Sequence, residues 1–433
     1  MKFCASIFII LLSFGGYGQG NWEWTELASM PDSVSNNAVC EAFIENKKYV
    51  YSFGGISDSL TYADIHQRVF KYDVSLDSWS EKSPMPDTLG KIASAASFVK
   101  NKIYVIGGYH VDENGNEYTS NKVHVYNPFL DTFEIDGAPI PIPVDDHVQA
   151  VWRDSLIFVV TGWSNTSNVP DVQIYNPSFN SWTAASDLPN NNLFKCFGAS
   201  GYILGDTIYY YGGVIQGLNF TAQGYLRRGI IDPQDPTNIS WEYLNDIQGA
   251  DNYRSACSGH KSTVFWIGGA EVAYNFDALA YDGTGIVNPS AKILEYNVNQ
   301  NSQNILLNTP GTLMDHRGIA KLGGGNWIIA GGIDSLRQVS DRTYLVHNSA
   351  LSEIDEALQP PFFEVNENPD HFIVVTENVG EVKVYDILGR LLFEEKKSLA
   401  DLYIPKADLE MSLLLFVYDD GSNLPVTRKK VKP

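Results

Sequence analysis

Cysteine is scarce in this sequence, with 4 residues among 433. Cys4 lies in an N-terminal segment that we expect to be removed, which leaves Cys40, Cys196 and Cys257. An exported protein that depended on disulfide bonds would have more cysteines, in even number. The sequence therefore argues against a disulfide-stabilised scaffold and predicts buried free thiols.

Basic residues are also few, because 30 lysines and arginines stand against 51 acidic side chains and the formal net charge is -21. Such a surface repels nucleic acids and anionic membranes unless a basic patch overrides the repulsion, and the basic residues are mostly scattered. We therefore predict that nucleic acids and anionic membrane surfaces are not partners of this protein.

Long apolar runs are absent beyond the N-terminus, so no later segment is long enough to cross a membrane as a helix. At the N-terminus, Lys2 precedes an apolar run from about Ala5 to Phe14, and small residues follow it. This order is typical of a secretory signal peptide. We predict that residues 1–18 are a signal peptide, and that the mature protein is secreted or held at the outer cell surface without membrane insertion.

Catalytic motifs are missing as well. The sequence has no GxSxG, no HExxH, no phosphate-cradling glycine loop and no paired CxxC. Asp112, Asn114 and Asn116 have the spacing of a calcium loop, but Glu117 stands where that loop needs glycine. A hairpin turn at Asn114-Gly115 explains the segment better. We predict no catalytic residue, no cofactor and no metal.

Glycine, by contrast, is abundant, with 36 residues, and it recurs in pairs at the ends of apolar segments such as YVYSFGG, IYVIGGY and WIIAGG. The segment FVVTGW has a single glycine at the same place. The segments follow one another at intervals of roughly 50 to 60 residues, which indicates a repeat architecture. The second glycines are Gly55, Gly108, Gly162, Gly213, Gly269 and Gly332.

A second strand-like segment follows each glycine pair and contains a tyrosine, with another aromatic residue seven positions later in three repeats. These pairs are Tyr72 with Trp79, Tyr126 with Phe133, and Tyr175 with Trp182. Each repeat is therefore predicted to form four short strands joined by turns. The last repeat lacks its fourth strand, and the Trp24-to-Pro31 spacing predicts that residues 22–31 supply it.

The glycine pairs, the Tyr-to-Trp spacing and the Met-Pro endings resemble those of the kelch family over residues 22–348. The resemblance implies an all-β fold, a six-bladed kelch-type β-propeller over residues 19–348 that is closed by the N-terminal strand. We predict that a small C-terminal β-sandwich follows it. It also implies that bulky aromatic residues pack over the glycines between blades.

The C-terminal part begins with a linker predicted at residues 349–361, followed by strand-like segments that suit a small β-sandwich at residues 362–433. EVKVYDILGRLLFEE and the basic ending RKKVKP resemble the C-terminal sorting domain of the bacterial type-nine secretion system. That resemblance implies recognition by the secretion machinery. A plain accessory sandwich is the alternative.

The predicted ligand site lies at the mouth of the propeller channel. Aligning the innermost strands by a polar residue three places before a small one brings together six positions, one from each blade. A mouth rich in cations predicts an anionic ligand. Alternatively, Asp146, Asp251 and Asp315 neutralise the cations internally. The aligned residues are Asn37, Lys91, His147, Lys195, Arg254 and Arg317.

Large insertions at residues 214–229 and 270–292 bring aromatic residues above the same mouth, where they stack on sugars or pack the loops down. We predict a secreted or surface-exposed recognition module for a glycan or protein ligand. The alternative is an enzyme that acts on an acidic sugar, as one secreted kelch subfamily does on sialic acid, with Glu271 near the anomeric centre. A structural component of the cell surface is a third reading.

Overall fold

The computed structural model describes residues 17–19, 21–45, 47–311, 313–351, 363–376, 380–386, 390–397, 401–409, 413–419 and 426–431. Two compact units divide the chain, Met1–Ser352 and Glu353–Pro433. Most of the predicted signal peptide and most of the predicted linker lie outside the described residues. Within the described residues, no helix has the length and apolar character needed to span a membrane.

Short antiparallel sheets make up the first unit, and its described residues contain no α-helix. We number the sheets 1 to 6 in chain order, and each has four main strands. Sheet 1 contains Ala38–Ile44, Lys47–Phe53, Val69–Asp73 and Ser78–Lys82; sheet 2 contains Ile92–Val99, Lys102–Val111, Val123–Asn127 and Thr132–Phe133; sheet 3 contains Val148–Trp152, Leu156–Val160, Val172–Asn176 and Ser181–Ala184.

The other three sheets follow the same order of strands. Sheet 4 contains Ser200–Leu204, Thr207–Tyr211, Tyr225–Ile231 and Ile239–Asp246; sheet 5 contains Ala256–His260, Thr263–Ile267, Lys292–Asn297 and Ser302–Leu307; sheet 6 contains Ala320–Gly323, Asn326–Ala330, Thr343–Asn348 and Trp22–Glu26, with Tyr17–Gln19 added at its edge.

Additional short elements lie between these strands. They are Glu117–Thr119, which pairs with the second strand of sheet 2; Arg317–Gly318, which pairs in parallel with Ala38–Ile44; the hairpins Trp163–Ser164 with Ser167–Asn168 and Val214–Ile215 with Thr221–Ala222; and the 3₁₀ turns Tyr62–Asp64 and Ser349–Leu351.

The fourth strand of sheet 6 comes from the beginning of the chain, as the spacing around Trp24 predicts. Trp24 pairs with Val346 in an antiparallel register. Trp22 and Trp24 are both buried, and the Trp22 ring lies 4.8 Å from that of Phe265 in sheet 5. The first and last parts of this unit are therefore joined in one sheet.

The seven-residue spacing of tyrosine and aromatic residue is explained by the hairpin between the third and fourth strands. Tyr72 lies directly across from Trp79, and Tyr175 across from Trp182. The indole of Trp182 also donates a 2.7 Å hydrogen bond to the carbonyl of Ala138, in the segment that leaves sheet 2. The motif thus ties each of these sheets to the one before it.

The glycine pairs are needed because backbone atoms of the segment that leads into the next sheet lie in contact with them. Gly107 has φ +65°, and a Cβ atom built there would lie 2.2 Å from the carbonyl oxygen of Val144. The atoms nearest to the first glycine of each pair are main-chain carbonyls rather than the aromatic rings that the kelch resemblance implies. A side chain would force neighbouring backbones apart.

The second glycine of each pair also donates a backbone hydrogen bond to the next sheet, and the glycine of sheet 6 donates to the segment before sheet 1. These bonds are Gly55 to Lys91, Gly108 to Val144, Gly162 to Cys196, Gly213 to Asn252, Gly269 to Leu313 and Gly332 to Val34. In sheet 3, where Thr161 replaces the first glycine, its hydroxyl accepts a 3.1 Å hydrogen bond from the N–H of Cys196.

The second unit consists of two antiparallel sheets that share one apolar core, which agrees with a small β-sandwich. Side chains from both sheets meet there, for example Phe372 and Phe416 with ring centroids 5.1 Å apart. One sheet has the strands Phe363–Glu367, His371–Thr376 and Leu402–Pro405; the other has Leu391–Lys397, Gly380–Asp386, Leu413–Asp419 and Val426–Val431, and the 3₁₀ turn Lys406–Asp408 follows Leu402–Pro405. Its predicted role as a sorting domain stays a prediction.

The three cysteines are free, as predicted, and two of them, Cys40 and Cys196, are buried. Cys257 is partly buried, and desolvation raises the pKa of its thiol well above the usual value.

Candidate functional site

One residue in a left-handed conformation lies shortly before the first strand of each sheet, or at its beginning in sheet 2, and these six residues occupy corresponding positions. We call them the inner ring. Their backbone N–H groups bind the preceding sheet in several cases, for example Asp146 to Ala93 and Gly198 to Asp146, while Asn36 binds Asp315. The inner ring consists of Asn36 (φ 53°), Ala93 (56°), Asp146 (47°), Gly198 (68°), Arg254 (51°) and Asp315 (70°).

The sequence alignment of six mouth residues was therefore wrong in register, and Arg254 is the one member that lies in the inner ring. In their own repeats, Lys91 and Lys195 come before the inner-ring residue in the sequence, and His147 and Arg317 come after it. The rule of a polar residue three places before a small one failed because the left-handed turn, rather than side-chain polarity, sets the register. Asparagine, aspartate and glycine, which tolerate this conformation, would have been the better signal.

Arg254 is buried and bridges two carboxylates of the inner ring. Its Nη2 lies 2.5 Å from Asp146 Oδ2, its Nε 3.0 Å from Asp146 Oδ1, and its Nη1 2.9 Å from Asp315 Oδ1. Burial by itself lowers the pKa of Arg254, but Asp146 and Asp315 together with nearby tyrosines raise it well above the usual value. Arg254 is thus a fixed internal cation.

Arg317 is also buried. It lies just before the first strand of sheet 6, and its side chain reaches the start of sheet 3. Its Nη2 donates a 2.7 Å hydrogen bond to the carbonyl of His147, and its Nη1 lies 3.6 Å from Asp146 Oδ1. Burial, followed by the charge of Arg317, lowers the pKa of His147 to about 4. Arg317 therefore links residues 315–317 to residues 145–147.

Lys91 is only 2% exposed, and its ammonium group lies 2.9 Å from Asp87 Oδ2 and 3.0 Å from His124 Nε2. Burial lowers the pKa of Lys91, whereas Asp87 opposes that shift. Lys91 thus belongs to a network between the strands of sheet 2 and not to a channel mouth.

Lys195 is partly exposed, and its ammonium group makes no hydrogen bond or ion pair within the described part of the chain. Glu271 is exposed, but its Oε1 lies 2.5 Å from Lys292 Nζ, so its carboxylate is already paired.

Lys91, Arg254 and Arg317 are therefore buried and face carboxylates inside the protein, so these three cations do not form an open ring. Asp146 and Asp315 provide the counter-charges, as the alternative reading held, whereas Asp251 is exposed and takes no part. Direct binding of a ligand by Lys91, His147, Lys195, Arg254, Arg317 or Glu271 stays a prediction.

A mostly apolar layer covers the inner ring. It is built from six backbone-paired residues per side, one pair for each sheet. Each pair joins the residue before the inner-ring position to a residue just after the glycine pair. Asp145 is the one acidic residue among these pairs. The pairs are Ser35 with Ile56, Ile92 with Tyr109, Asp145 with Trp163, Phe197 with Val214, Tyr253 with Ala270 and Met314 with Ile333.

Aromatic residues from the loops of sheets 3 to 5 pack against this layer. Trp163, Phe220 and Tyr281 are each partly exposed and surround the buried Phe197. The ring centroid of Phe220 lies 5.6 Å from that of Trp163 and 4.9 Å from that of Tyr281. The insertions thus supply aromatic residues as predicted, although Tyr274 is fully buried and donates to Asp315 at 3.2 Å.

Polar groups border this aromatic cluster. Glu117 is exposed as a residue, but its carboxyl group is partly desolvated. Desolvation raises the pKa of this carboxyl; Arg254 opposes the shift, and Asp146 adds to it. The strand that contains Glu117 is joined to the segments beside the cluster by Thr119, whose hydroxyl donates a 2.8 Å hydrogen bond to Asp145 and accepts a 3.3 Å hydrogen bond from the backbone N–H of Asn165. We define the loop-face site as Tyr109, Glu117, Asp145, Trp163, Phe220 and Tyr281.

Sequence reasoning missed most of the loop-face site. Glu117 stood out as the residue that spoils a calcium loop, and Trp163 as the residue that follows the solitary Gly162. Asp112 instead closes a hairpin turn, since it accepts hydrogen bonds from the backbone N–H groups of Asn114 and Asn116. Within the described residues, no group of three or more histidine, cysteine or acidic side chains is placed to hold a metal ion.

The free energy of unfolding of the Asp145→Asn variant should increase relative to that of the wild type as the pH rises. Burial and then the charge of Asp146 raise the pKa of Asp145 well above its usual value, so the folded protein keeps a proton that the unfolded chain has lost. Stability therefore falls as the pH increases beyond the unfolded pKa of about 3.9. Asparagine cannot titrate, and its side-chain oxygen can still accept the hydrogen bond from Thr119.

The measurement is urea unfolding of both proteins at pH 4.5 and pH 8, followed by tryptophan fluorescence. All 9 tryptophans lie in the first unit, so the signal reports that unit alone. An unchanged difference between the two proteins across this range would contradict the argument.

Comparison with known proteins gives several weak but concordant similarities. No protein-family model matches the chain. The chain is 25% identical over 162 residues to beta-scruin of Limulus polyphemus, covering 35% of this chain and 16% of that protein. It is 23% identical over 280 residues to alpha-scruin of the same organism, covering 64% of this chain and 29% of that protein.

A third relative is kelch-like protein 25 of Xenopus tropicalis, 25% identical over 175 residues, covering 40% of this chain and 27% of that protein. Each similarity thus spans less than a third of the relative's length. The solved structure of YjhT has a TM-score of 0.59 and 14% identity, covering 81% of this chain and 99% of that chain. The kelch-repeat relatives and this structural neighbour together support a kelch β-propeller fold.

Proposed function

We propose that sheets 1 to 6 are the blades of a closed six-bladed kelch-type propeller. The hydrogen bonds from each glycine pair to the next sheet support this arrangement, because the bond from Gly332 to Val34 links sheet 6 to sheet 1. The pairing of Trp22–Glu26 with Thr343–Asn348 supports closure by the N-terminal strand. A closed ring leaves no sheet edge open at the junction.

The function proposed for this propeller is recognition of a protein partner at the loop-face site. The observation that carries the proposal is the partly exposed aromatic cluster of Trp163, Phe220 and Tyr281, which packs against a buried layer. Aromatic residues over a well-packed base are the side chains that contribute most to protein interfaces. The kelch-repeat relatives also suggest a protein-interaction module.

Export of the protein is part of the proposal and rests on the signal-peptide pattern at residues 1–18 and on the likeness of the C-terminal unit to a type-nine sorting domain. A glycan ligand is the second candidate, since aromatic rings also stack on sugars. An enzyme acting on an acidic sugar has less support, because Arg254 is paired with two carboxylates and Glu271 with Lys292.

The test is selection from a displayed library of twelve-residue peptides, in parallel with a glycan array that includes sialylated and uronic sugars. We expect the wild type to enrich peptides, and we expect Trp163→Ala to weaken their binding at least about tenfold, as loss of an interface tryptophan does. The control is Phe179→Ala, which removes an aromatic residue that is 79% exposed at the opposite end of the same sheet.

If Trp163→Ala binds the selected peptides with the same affinity as the wild type, the interface lies elsewhere on the protein. Binding to sugars without any enrichment of peptides would replace the protein partner with a glycan.

A further inference from the structure

We propose that the channel enclosed by the innermost strands holds a small monovalent anion, such as chloride, against the guanidinium group of Arg317. The inference rests on the proposed ring of six blades, but it goes beyond recognition of a partner at the loop-face site. The ligand is an ion enclosed by the protein, whereas the sequence predicted an anionic ligand at the channel mouth.

Open space inside the ring is indicated by residues in the middle of the innermost strands. The position three residues after the inner ring is partly exposed in five of the six repeats, and in sheets 2, 3, 5 and 6 the residues on both sides of it are buried. In sheets 2 to 5 the first strand has no strand partner on its inner edge among the described residues, so the exposed side faces the channel. Five of the six residues are no larger than valine, which leaves room for a ligand. They are Val39, which is buried, with Ala96, Gln149, Gly201, Cys257 and Gly318.

The side chain of Arg317 extends across this channel. Its backbone pairs with Ala38 of sheet 1, whereas its Nη2 donates a 2.7 Å hydrogen bond to the carbonyl of His147 beside sheet 3, on the opposite side of the proposed ring. Gly318, the next residue, is one of the partly exposed positions. The guanidinium group therefore lies within the channel, next to the open space.

The guanidinium group of Arg317 has donors without acceptors. Arg317 is only 6% exposed, and its buried Nε has no hydrogen-bond partner among the described residues. Its Nη1 lies 3.6 Å from Asp146 Oδ1, beyond hydrogen-bond distance, and Arg254 already donates to both oxygens of that carboxylate at 2.5 and 3.0 Å. Buried polar groups are normally hydrogen-bonded, and guanidinium groups bind anions strongly. A small anion would supply the missing acceptor.

A second cation lies further along the channel. Lys321 in sheet 6 extends its ammonium group to the hydroxyl of Tyr202 in sheet 4, at 3.0 Å, and to the carbonyl of Gly259 in sheet 5, at 2.8 Å. Glu41 is the carboxylate beside it; it accepts the backbone N–H of Lys321 at 2.9 Å, and desolvation raises the pKa of its carboxyl. Arg317 and Lys321 would repel a cation placed between them, so the channel favours an anion.

The experiment is crystallography of the protein soaked in sodium bromide, because the anomalous scattering of bromide distinguishes it from water. We expect a bromide ion within hydrogen-bond distance of the Arg317 guanidinium group in the wild type. Arg153→Met, which removes a surface arginine, should keep this ion, and Arg317→Met should lose it.

The line width of the chloride NMR signal provides a measurement in solution, since it increases when chloride exchanges with a protein site. We expect the wild type and Arg153→Met to broaden the signal equally and Arg317→Met to lose most of that effect. Urea unfolding checks that each variant is folded. If Arg317→Met does not fold, the bromide position in the wild type and in Arg153→Met still decides.

A water molecule at the Arg317 guanidinium group of bromide-soaked crystals would overturn the anion site. Bromide found at surface positions alone would overturn it as well, as would chloride broadening that Arg317→Met leaves unchanged. None of these results bears on the loop-face site, which the peptide selection tests separately.

Discussion

Replacement of Gly107 by alanine, which adds one methyl group, is expected to destabilise the first unit by about 3 kcal/mol or more. The left-handed conformation costs an alanine roughly 1–2 kcal/mol, and forcing an atom into filled space costs typically about 1–3 kcal/mol more. At Gly107, φ is +65° and the added Cβ would lie 2.2 Å from the Val144 carbonyl oxygen.

The matched control is Gly115→Ala in the hairpin of the same sheet. Gly115 has φ +80°, but no atom lies within 4 Å of a Cβ built there. Its substitution is therefore expected to cost only the conformational part, roughly 1–2 kcal/mol. Urea unfolding followed by tryptophan fluorescence measures both variants. Equal losses at the two positions would show that the close approach of the next sheet contributes nothing.

Replacement of Arg254 by methionine is expected to destabilise the first unit by about 3–5 kcal/mol, because removal of one partner leaves buried charges without compensation. Asp146 and Asp315 are 2% and 0% exposed, and Arg254 binds both of them. The same unfolding measurement applies. The control is Arg153→Met, since Arg153 pairs with Asp206 at the surface and such pairs contribute about 0–1 kcal/mol.

A double variant separates the charge effect from lost packing. When Asp315→Asn accompanies Arg254→Met, Asp315 no longer leaves a buried carboxylate without a partner, Asp146 still faces Arg317, and part of the lost stability should return. A double variant less stable than Arg254→Met alone would contradict the view that uncompensated charge is the main cost. In that case, the backbone geometry of the inner ring would be the dominant contribution.

Much of the strand pattern could be predicted because it depends on short-range rules. The seven-residue spacing of Tyr72 and Trp79 places these residues opposite each other across one hairpin, and hairpin register follows from turn length. The glycine pairs were likewise visible, since their period repeats along the chain. The paired Trp22–Glu26 and Thr343–Asn348 strands were predicted from the missing strand of the last repeat.

The loop-face site was harder to predict because its members come from four different sheets through loops of unequal length. Glu117 and Tyr109 belong to sheet 2, Trp163 to sheet 3, Phe220 to the insertion of sheet 4 and Tyr281 to the long insertion of sheet 5. No spacing rule relates such residues. The roles of Arg254 and Arg317 were misjudged for the same reason, since their partner Asp146 is far away in sequence.

The amino-acid sequence by itself determined the repeating strands, the positions of the glycine pairs and the pairing of Trp22–Glu26 with Thr343–Asn348, because each depends on local conformation or on a pattern that recurs. Only the tertiary structure decided which charges remain available at the surface. The Coulomb energy of an ion depends on its distance to every other charge and on its burial, and neither quantity can be read from residue order. Arg254 is therefore a structural cation here, because Asp146 and Asp315 surround it inside the protein.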